Sequence, residues 1–402
     1  MPKNETERET LALNIMMAAY GFSVTSVGAL LPVFLKEFSI SAALGGAVAG
    51  AQGLGGIATI FLGGTVADRI DKRLGIAVSF GAYALALLCA AFIGSYPALL
   101  ALFFSIGFVT RILDALANAR VADISGTDRN KRLSLLHASF GIGALIGPLY
   151  LQFASAIAGW RLALAALGTA SAVLAAITLR MTGRRGRIEA AVVSGRDQGK
   201  RAMAAASVAG DRGVWLLLCA MAFYAAHQAG VSVWLPSFLI GRFGLAPAFA
   251  NGSLSLYWAS IVAGRLAVSR LKGDSVPRLV LVRGAAAAGA ALAIALALDS
   301  VPALFIAIAF TGFASGAVIP SLISLACAAH PEASGAAASA LFVTSSAVRI
   351  VVPSAIGFLM GALGGRGGFG TTSIVLGLSS VFAYAALLTF DKRRARQPDT
   401  GE

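Results

Sequence analysis

The sequence predicts an all-α membrane protein: twelve transmembrane helices in two pseudo-symmetric six-helix bundles. Three observations carry the prediction. Of 402 residues, 58% are hydrophobic and only 12% charged, against about 25% charged in a soluble domain. The apolar residues fall into long runs, each near the roughly 20 residues that a bilayer core demands. The second half of the chain repeats features of the first at a nearly constant offset. No single water-soluble core could bury this much apolar surface, so the lipid bilayer is an expected partner.

Taken in order, the apolar runs predict spans at 11–35, 42–67, 74–94, 98–120, 133–157, 160–180, 214–240, 248–271, 279–298, 302–328, 336–361 and 370–390. The ends of these spans sort by charge. One set holds Lys3, Arg8, Arg69, Lys72, Arg73, Arg120, Arg129, Lys131, Arg132, Arg270, Lys272, Arg278 and Lys392 to Arg396, with the arginines of a basic loop after span six. The other holds little beyond Lys36, Arg161, Arg242 and Arg366. Basic residues stay on the cytoplasmic side, which divides the chain into a cytoplasmic N-terminus (1–10), a first bundle (11–180), a basic cytoplasmic linker (181–213), a second bundle (214–390) and a cytoplasmic tail (391–402). An integral protein of a bacterial inner (plasma) membrane is expected, with both termini cytoplasmic and the chain acting as a monomer.

The net charge of +14 thus sets orientation, and no nucleic-acid partner is expected, since no basic groove is interleaved with aromatics. The first ten residues are charged and lead into a long span, unlike a cleavable signal peptide. Cys89, Cys219 and Cys327 lie in apolar runs without metal-ligand spacing and read as small core residues. No metal or cofactor is called for; a proton is the expected coupling ion.

The repeat is visible residue by residue. Tyr20 precedes Leu31-Pro32-x-Phe34-Leu35 as Tyr224 precedes Leu235-Pro236-x-Phe238-Leu239. Gly107 pairs with Gly312, Pro148 with Pro353, and Gly63, Asp68 and Arg69 with Gly264, Ser269 and Arg270, all at offsets of roughly 200–205 residues. A parallel repeat of this kind is one of the layouts found in secondary transporters.

Between spans two and three the chain reads G-G-T-V-A-D-R-I-D-K-R over Gly63–Arg73. Gly64-x-x-x-Asp68-Arg69-x-x-Lys72-Arg73 resembles the loop 2–3 signature of the major facilitator superfamily of secondary transporters. The resemblance implies that Gly64, Asp68, Arg69, Lys72 and Arg73 form a conformational latch. In the family the acid, here Asp68, helps hold the cytoplasmic side shut in one transport state. The fourth-span pattern Asp114-x-x-x-Asn118, the fifth-span Leu136–Gly143 followed by Gly147-Pro148, Trp234-Leu235-Pro236 in the seventh span and Gly264-Arg265 at the end of the eighth resemble the fucose permease and glucose-transporter-like branch. Arg111-x-x-Asp114-Ala115 resembles the arginine motif of proton-coupled members, and Gly143-x-x-x-Gly147-Pro148 the fifth-span motif of drug antiporters.

Ionisable residues at membrane depth are expensive and therefore functional candidates. Asp114 is the one acid well inside a span, with Arg111 one turn before it on the same face. Burial favours the protonated form of a carboxyl and a neighbouring arginine the ionised form, so Asp114 with Arg111 reads either as a proton-coupling site or as a structural ion pair. Tyr20, Arg111, Asn118, His227, Gln228 and Arg349 are the candidate substrate contacts. Two arginines to one carboxylate would suit an anionic solute held bidentately, and a sugar-like solute is equally compatible. His227 reads as a donor or proton relay, or as a packing histidine.

The expected function is secondary active transport of a small polar solute by alternating access, coupled to protons through Asp114. The alternative is proton-driven efflux of drugs or metabolites, which few mid-span aromatics disfavour. A membrane-embedded enzyme or a sensor is a remote third possibility, since the chain shows no nucleophile–base pair and no nucleotide loop.

Overall fold

The computed structural model describes residues 3–66, 72–125, 129–181, 208–271 and 276–394. Among these the regular structure is helical throughout. In chain order the helices are α1 (Lys3–Glu37), α2 (Ala42–Val66), α3 (Lys72–Cys89), α4 (Tyr96–Ile124), α5 (Arg129–Met181), α6 (Arg212–Phe243), α7 (Pro247–Val268), α8 (Ala285–Leu298), α9 (Val301–Ser315), α10 (Val318–Ala329), α11 (Ser334–Ala362) and α12 (Gly364–Arg394). A π-helical stretch, Arg278–Gly284, leads into α8.

Nine helical segments of the described residues are long and apolar enough to cross a membrane. One is two crossings. Gly159 interrupts α5 at φ 79° and ψ 158°, and Tyr150 donates to the Ala163 carbonyl across this break at 2.9 Å. Those residues would lie about 20 Å apart in a straight helix, so the chain reverses at a single glycine, without a loop. With α2 and α7 the crossings number twelve, and α9 and α10 form one crossing interrupted at Gly316 and Ala317. Two six-helix bundles result: α1 to α5, and α6 to α12.

Side chains such as Phe92, Phe153, Ile157 and Ile306 stand exposed around the outside. Bulky apolar groups in such number need hydrocarbon around them. Cys89 also faces outward, whereas Cys219 and Cys327 are half-buried. The expectation that all three are core residues therefore fails for Cys89, which sits on the lipid-facing side of α3.

The bundles touch at one end and part at the other. At the end away from the basic loops, α1 meets α6, α2 meets α11 and the first limb of α5 meets α7. These seams are backbone against glycine. A Cβ on Gly46 would lie 2.5 Å from Ser354 N, and one on Gly50 2.6 Å from the Ile350 carbonyl oxygen. One hydrogen bond joins the halves here, from Asn251 Nδ2 to Gln152 Oε1 at 2.9 Å. A single apolar core runs through this sealed end, including Leu31 and Phe34 from one bundle and Leu235 and Phe238 from the other. Toward the basic loops the second bundle has a separate core around Leu217, Leu281, Leu322 and Leu376, with a cavity between it and the first bundle.

The repeat has a structural counterpart. Gly107 brings α4 against Gln52 of α2, and Gly312 brings α9 against Tyr257 of α7. The equivalent glycines serve equivalent helix crossings.

The described ends of the chain are helical. Lys3 to Thr10 are not a separate tail but the first turns of α1, and α12 likewise runs on to Arg394. An ion cluster holds the first of these ends: Glu9 accepts from Arg120 Nε at 2.6 Å and from Arg73 at 2.9 Å. The linker proposed at 181–213 falls largely outside the described residues, which resume at Val208.

Candidate functional site

The space between the bundles is a cavity of about 1700 Å³. It begins at mid-depth among Tyr20, Gln52, Arg111, Asp114, Gln228 and Arg349. It widens toward the basic-loop end, where Ser269, Arg278, Phe390 and Asp391 edge it. The sealed seams described above close the other end, so one face alone has access.

The α4 wall is set by sequence. Gly107 lets α4 pack tightly on α2, and the next turns present Arg111, Asp114 and Asn118 along one face. Arg111 reaches Asp114 Oδ2 at 3.0 Å, and Asn118 Nδ2 donates to Asp114 Oδ1 at 2.8 Å. Both carboxylate oxygens are thus engaged. The second arm of Arg111 crosses the cavity to Ser346 Oγ on α11 at 2.8 Å, a direct link between halves at the level of the acid.

The facing wall comes from α6, α7 and α11. A Cβ on Gly53 of α2 would lie 3.3 Å from the Arg349 backbone, so this glycine lets α11 come close at this depth. Arg349 donates to Gln228 Oε1. Gln228 Nε2 donates to the Tyr224 hydroxyl at 3.3 Å, and Tyr224 donates to the Ser315 carbonyl at 3.0 Å. This chain of neutral partners orients the Arg349 guanidinium but supplies no counter-charge. Tyr20, stacked edge-on to Phe140, lies within electrostatic reach of Arg111, Asp114 and Arg349.

Of the residues singled out from sequence, Tyr20, Arg111, Asp114, Gln228 and Arg349 line this one cavity. Asn118 acts on Asp114 rather than on the open space. His227 departs from its expected place: it is fully buried, with Nδ1 2.9 Å from the Thr372 carbonyl of α12. A carbonyl accepts only, so Nδ1 carries the proton; His227 lies between α6 and α12, outside the cavity lining, with Nε2 buried and without a hydrogen-bond partner among the described residues. One residue on, the 100° advance of the helix swings Gln228 into the cavity. Of the latch residues, Asp68 and Arg69 lie outside the described residues, and Gly64 is in the last turn of α2. Lys72 pairs with Asp123 at 2.7 Å and Arg73 with Glu9, bonds made within the first bundle.

Sequence reasoning met Arg265 and His137 only within motifs of resemblance and did not select them as site residues, yet both line the cavity. Arg265 sits in the last turn of α7 and reads as an ordinary positive-inside residue. His137 sits in the third turn of the first limb of α5, too close to the basic end for a depth criterion to select. The expected scarcity of cavity aromatics is also corrected. Tyr20, Phe140, Trp258, Phe342 and Phe390 all line it, because helix rotation gathers residues that are scattered in sequence.

This geometry, two bundles about a midplane cavity gated at one end, is that of a secondary transporter. The profile of the Major Facilitator Superfamily matches residues 12–285. The chain belongs to the major facilitator superfamily. It is therefore an integral membrane transporter rather than an enzyme. Similar solved structures share the fold at low identity. A bacterial homolog of the human lysosomal transporter Spinster, in an inward-facing and unoccupied conformation, superimposes with a TM-score of 0.80 at 16% identity, over 98% of this chain and 99% of that one. A mutant of the nucleoside transporter NupG gives a TM-score of 0.73 at 18% identity, over 95% of this chain and 100% of that one. No curated protein matches in sequence. Superfamily membership leaves the solute undetermined, and that has to be argued from the cavity.

Proposed function

We propose that this superfamily member carries a small organic anion together with protons, and that the present conformation faces the cytoplasm. One observation carries the anion reading: apart from the Arg278–Asp391 pair at the mouth, the cavity is lined by three guanidiniums, Arg111, Arg265 and Arg349, and a single carboxylate, Asp114. A sugar-like solute would leave that excess charge unanswered. The basic loops edge the open mouth, and the positive-inside rule makes that side cytoplasmic.

The bonding suggests how proton and solute are linked. Arg111 is the counter-charge of Asp114, at 3.0 Å. An anion entering beside Arg349 competes for Arg111. Once Arg111 turns to the solute, Asp114 loses its counter-charge and takes a proton. Each ligand then favours the other by the same factor, and release reverses the exchange. Ser346, already bonded to Arg111, brings α11 into the same event, so the exchange bears on the contact between bundles.

The test is uptake by reconstituted vesicles under an imposed pH gradient. Asp114→Asn is expected to abolish proton-driven accumulation while preserving solute exchange. Accumulation unchanged in that variant would sink the coupling. Arg349→Gln is expected to weaken anion uptake at least about tenfold, the loss of one charge-assisted contact.

The aromatic lining favours a second reading, proton-driven efflux of amphipathic compounds. Drug-susceptibility profiling of a deletion strain separates the two: hypersensitivity to cationic or neutral drugs supports efflux, and an unaltered profile supports the anion carrier.

A further inference from the structure

Arg265 is held in a way that ordinary orientation charges are not. Its Nε donates to the Gly316 carbonyl at 2.9 Å, where α9 gives way to α10. Close packing of α7 on this crossing keeps the pair in register: a Cβ on Gly316 would meet Arg265 N at 3.0 Å, and one on Gly264 would meet Phe313 Cα at 3.1 Å. The guanidinium plane is pinned by one edge. Its two terminal nitrogens, the edge that matches a carboxylate or phosphate, have no hydrogen-bond acceptor among the described residues, and the residue lines the cavity.

The charges of the cavity can be set against one another. At the mouth Arg278 pairs with Asp391. At mid-depth Arg111 pairs with Asp114. Arg349 and Arg265 remain, the first held by the Gln228 side-chain amide and the second by a backbone carbonyl. Both partners are neutral, and both arginines belong to the second bundle. The cavity therefore has two unanswered positive charges when Asp114 is ionised, each on a preorganised guanidinium.

We infer that the solute is a dianion, a dicarboxylate or a phosphomonoester, and that Arg265 is its second anchor beside Arg349. This deepens the anion reading proposed above and rests on it. A monoanion satisfies one of the two guanidiniums and leaves the other uncompensated in a low-dielectric cavity. A dianion satisfies both. Selectivity follows from the site's own need for two negative charges, as a polar pocket rejects a ligand that lacks the matching group. The rival account makes Arg265 a purely structural cap on the C-terminal carbonyls of α9.

The experiment measures binding to the purified full-length protein, by thermal stabilisation and by competition for uptake. The probes are succinate against butyrate and glycerol 3-phosphate against glycerol, with Arg265→Gln, Arg265→Lys and Arg349→Gln. The wild type should bind a dianion at least about tenfold more tightly than its partner probe, and the preferred pair tells dicarboxylate from phosphate. Arg265→Gln should erase that preference while changing butyrate affinity less than about threefold. Arg265→Lys, which keeps the charge but not the fork, should restore part of it. A dianion preference intact in Arg265→Gln overturns the second anchor and leaves the anion reading standing, provided Arg349→Gln still weakens binding. Equal binding of dianion and monoanion by the wild type overturns the dianion assignment. Binding of glycerol alone, with no response to any anion, overturns the anion reading as well. Arg265→Gln that lowers melting temperature without altering relative affinities establishes the structural cap instead.

Discussion

Substituting Gly46 by alanine tests the sealed end directly. The added Cβ would lie 2.5 Å from the backbone nitrogen of Ser354 and nearer still to the Pro353 carbonyl group. Ordinary carbon contacts need about 3.5–4.0 Å, so α2 and α11 must part by about 1 Å, and no flexible side chain is there to yield. Overpacking of this kind costs about 1–3 kcal/mol. The cost falls only on the conformation in which this end is shut, because the two helices separate when it opens. The equilibrium should then move toward the opposite-facing state by about 5- to 150-fold. Ser255 reports the shift: it is buried and lies one turn beyond Asn251 on the face turned to α5. With Cys89, Cys219 and Cys327 replaced, a cysteine at position 255 should react with an impermeant maleimide faster by that factor in the Gly46→Ala background. Gly81, which has nothing within 4 Å, supplies the control substitution. Equal labelling rates in Gly46→Ala and Gly81→Ala, both folded, would refute the claim that this seam gates the carrier.

Three further outcomes are expected. Glu9→Gln leaves Arg73 and Arg120 without their shared carboxylate and should destabilise the first bundle by about 1–2 kcal/mol, read by thermal unfolding; no loss would mean that water already screens the cluster. Gly159→Ala meets open space, so its whole cost is the left-handed backbone at φ 79°, about 1–3 kcal/mol, and an unchanged melting temperature would contradict it. Asp299 has its carboxyl held below the ordinary value of 3.8, first by the hydrogen bond from Arg242. A lowered value means the pair contributes above that pH and is lost as acid passes through it. The difference in melting temperature between the protein and Asp299→Asn should stay level from pH 8 to 5 and shrink below about pH 4; a difference that widened in acid would reverse the sign.

Depth in the membrane is written in the sequence, whereas rotation about each helix is not. Span limits such as 42–67 and 214–240 lie within a few residues of Ala42–Val66 and Arg212–Phe243, because bilayer thickness sets them. The same rule selected Arg111, Asp114 and Arg349 by depth, and the structure brings all three to one cavity. His227 and Gln228 share a depth, yet only Gln228 faces that cavity. Which of two neighbours turns inward is decided by packing, here by the Thr372 carbonyl that engages His227. Arg265 was hidden by the converse problem. Near a span end, an arginine that serves a site and one that sets orientation read alike until Gly316 is seen to pin the side chain. The division of the apolar core into a merged and a separate part was equally out of reach, since it belongs to one conformation and not to the chain.

That division also governs how the molecule loosens. At the merged end neither bundle can unravel without stripping apolar cover from the other, so amide protons there should exchange only through collective opening. Beside the cavity mouth the cluster around Leu281 and Leu322 depends on its own bundle alone, and its helices are free to fray in small steps. The protein is thus built with a slow-exchanging base and a quick-exchanging rim, and when the carrier turns over, the two should trade places.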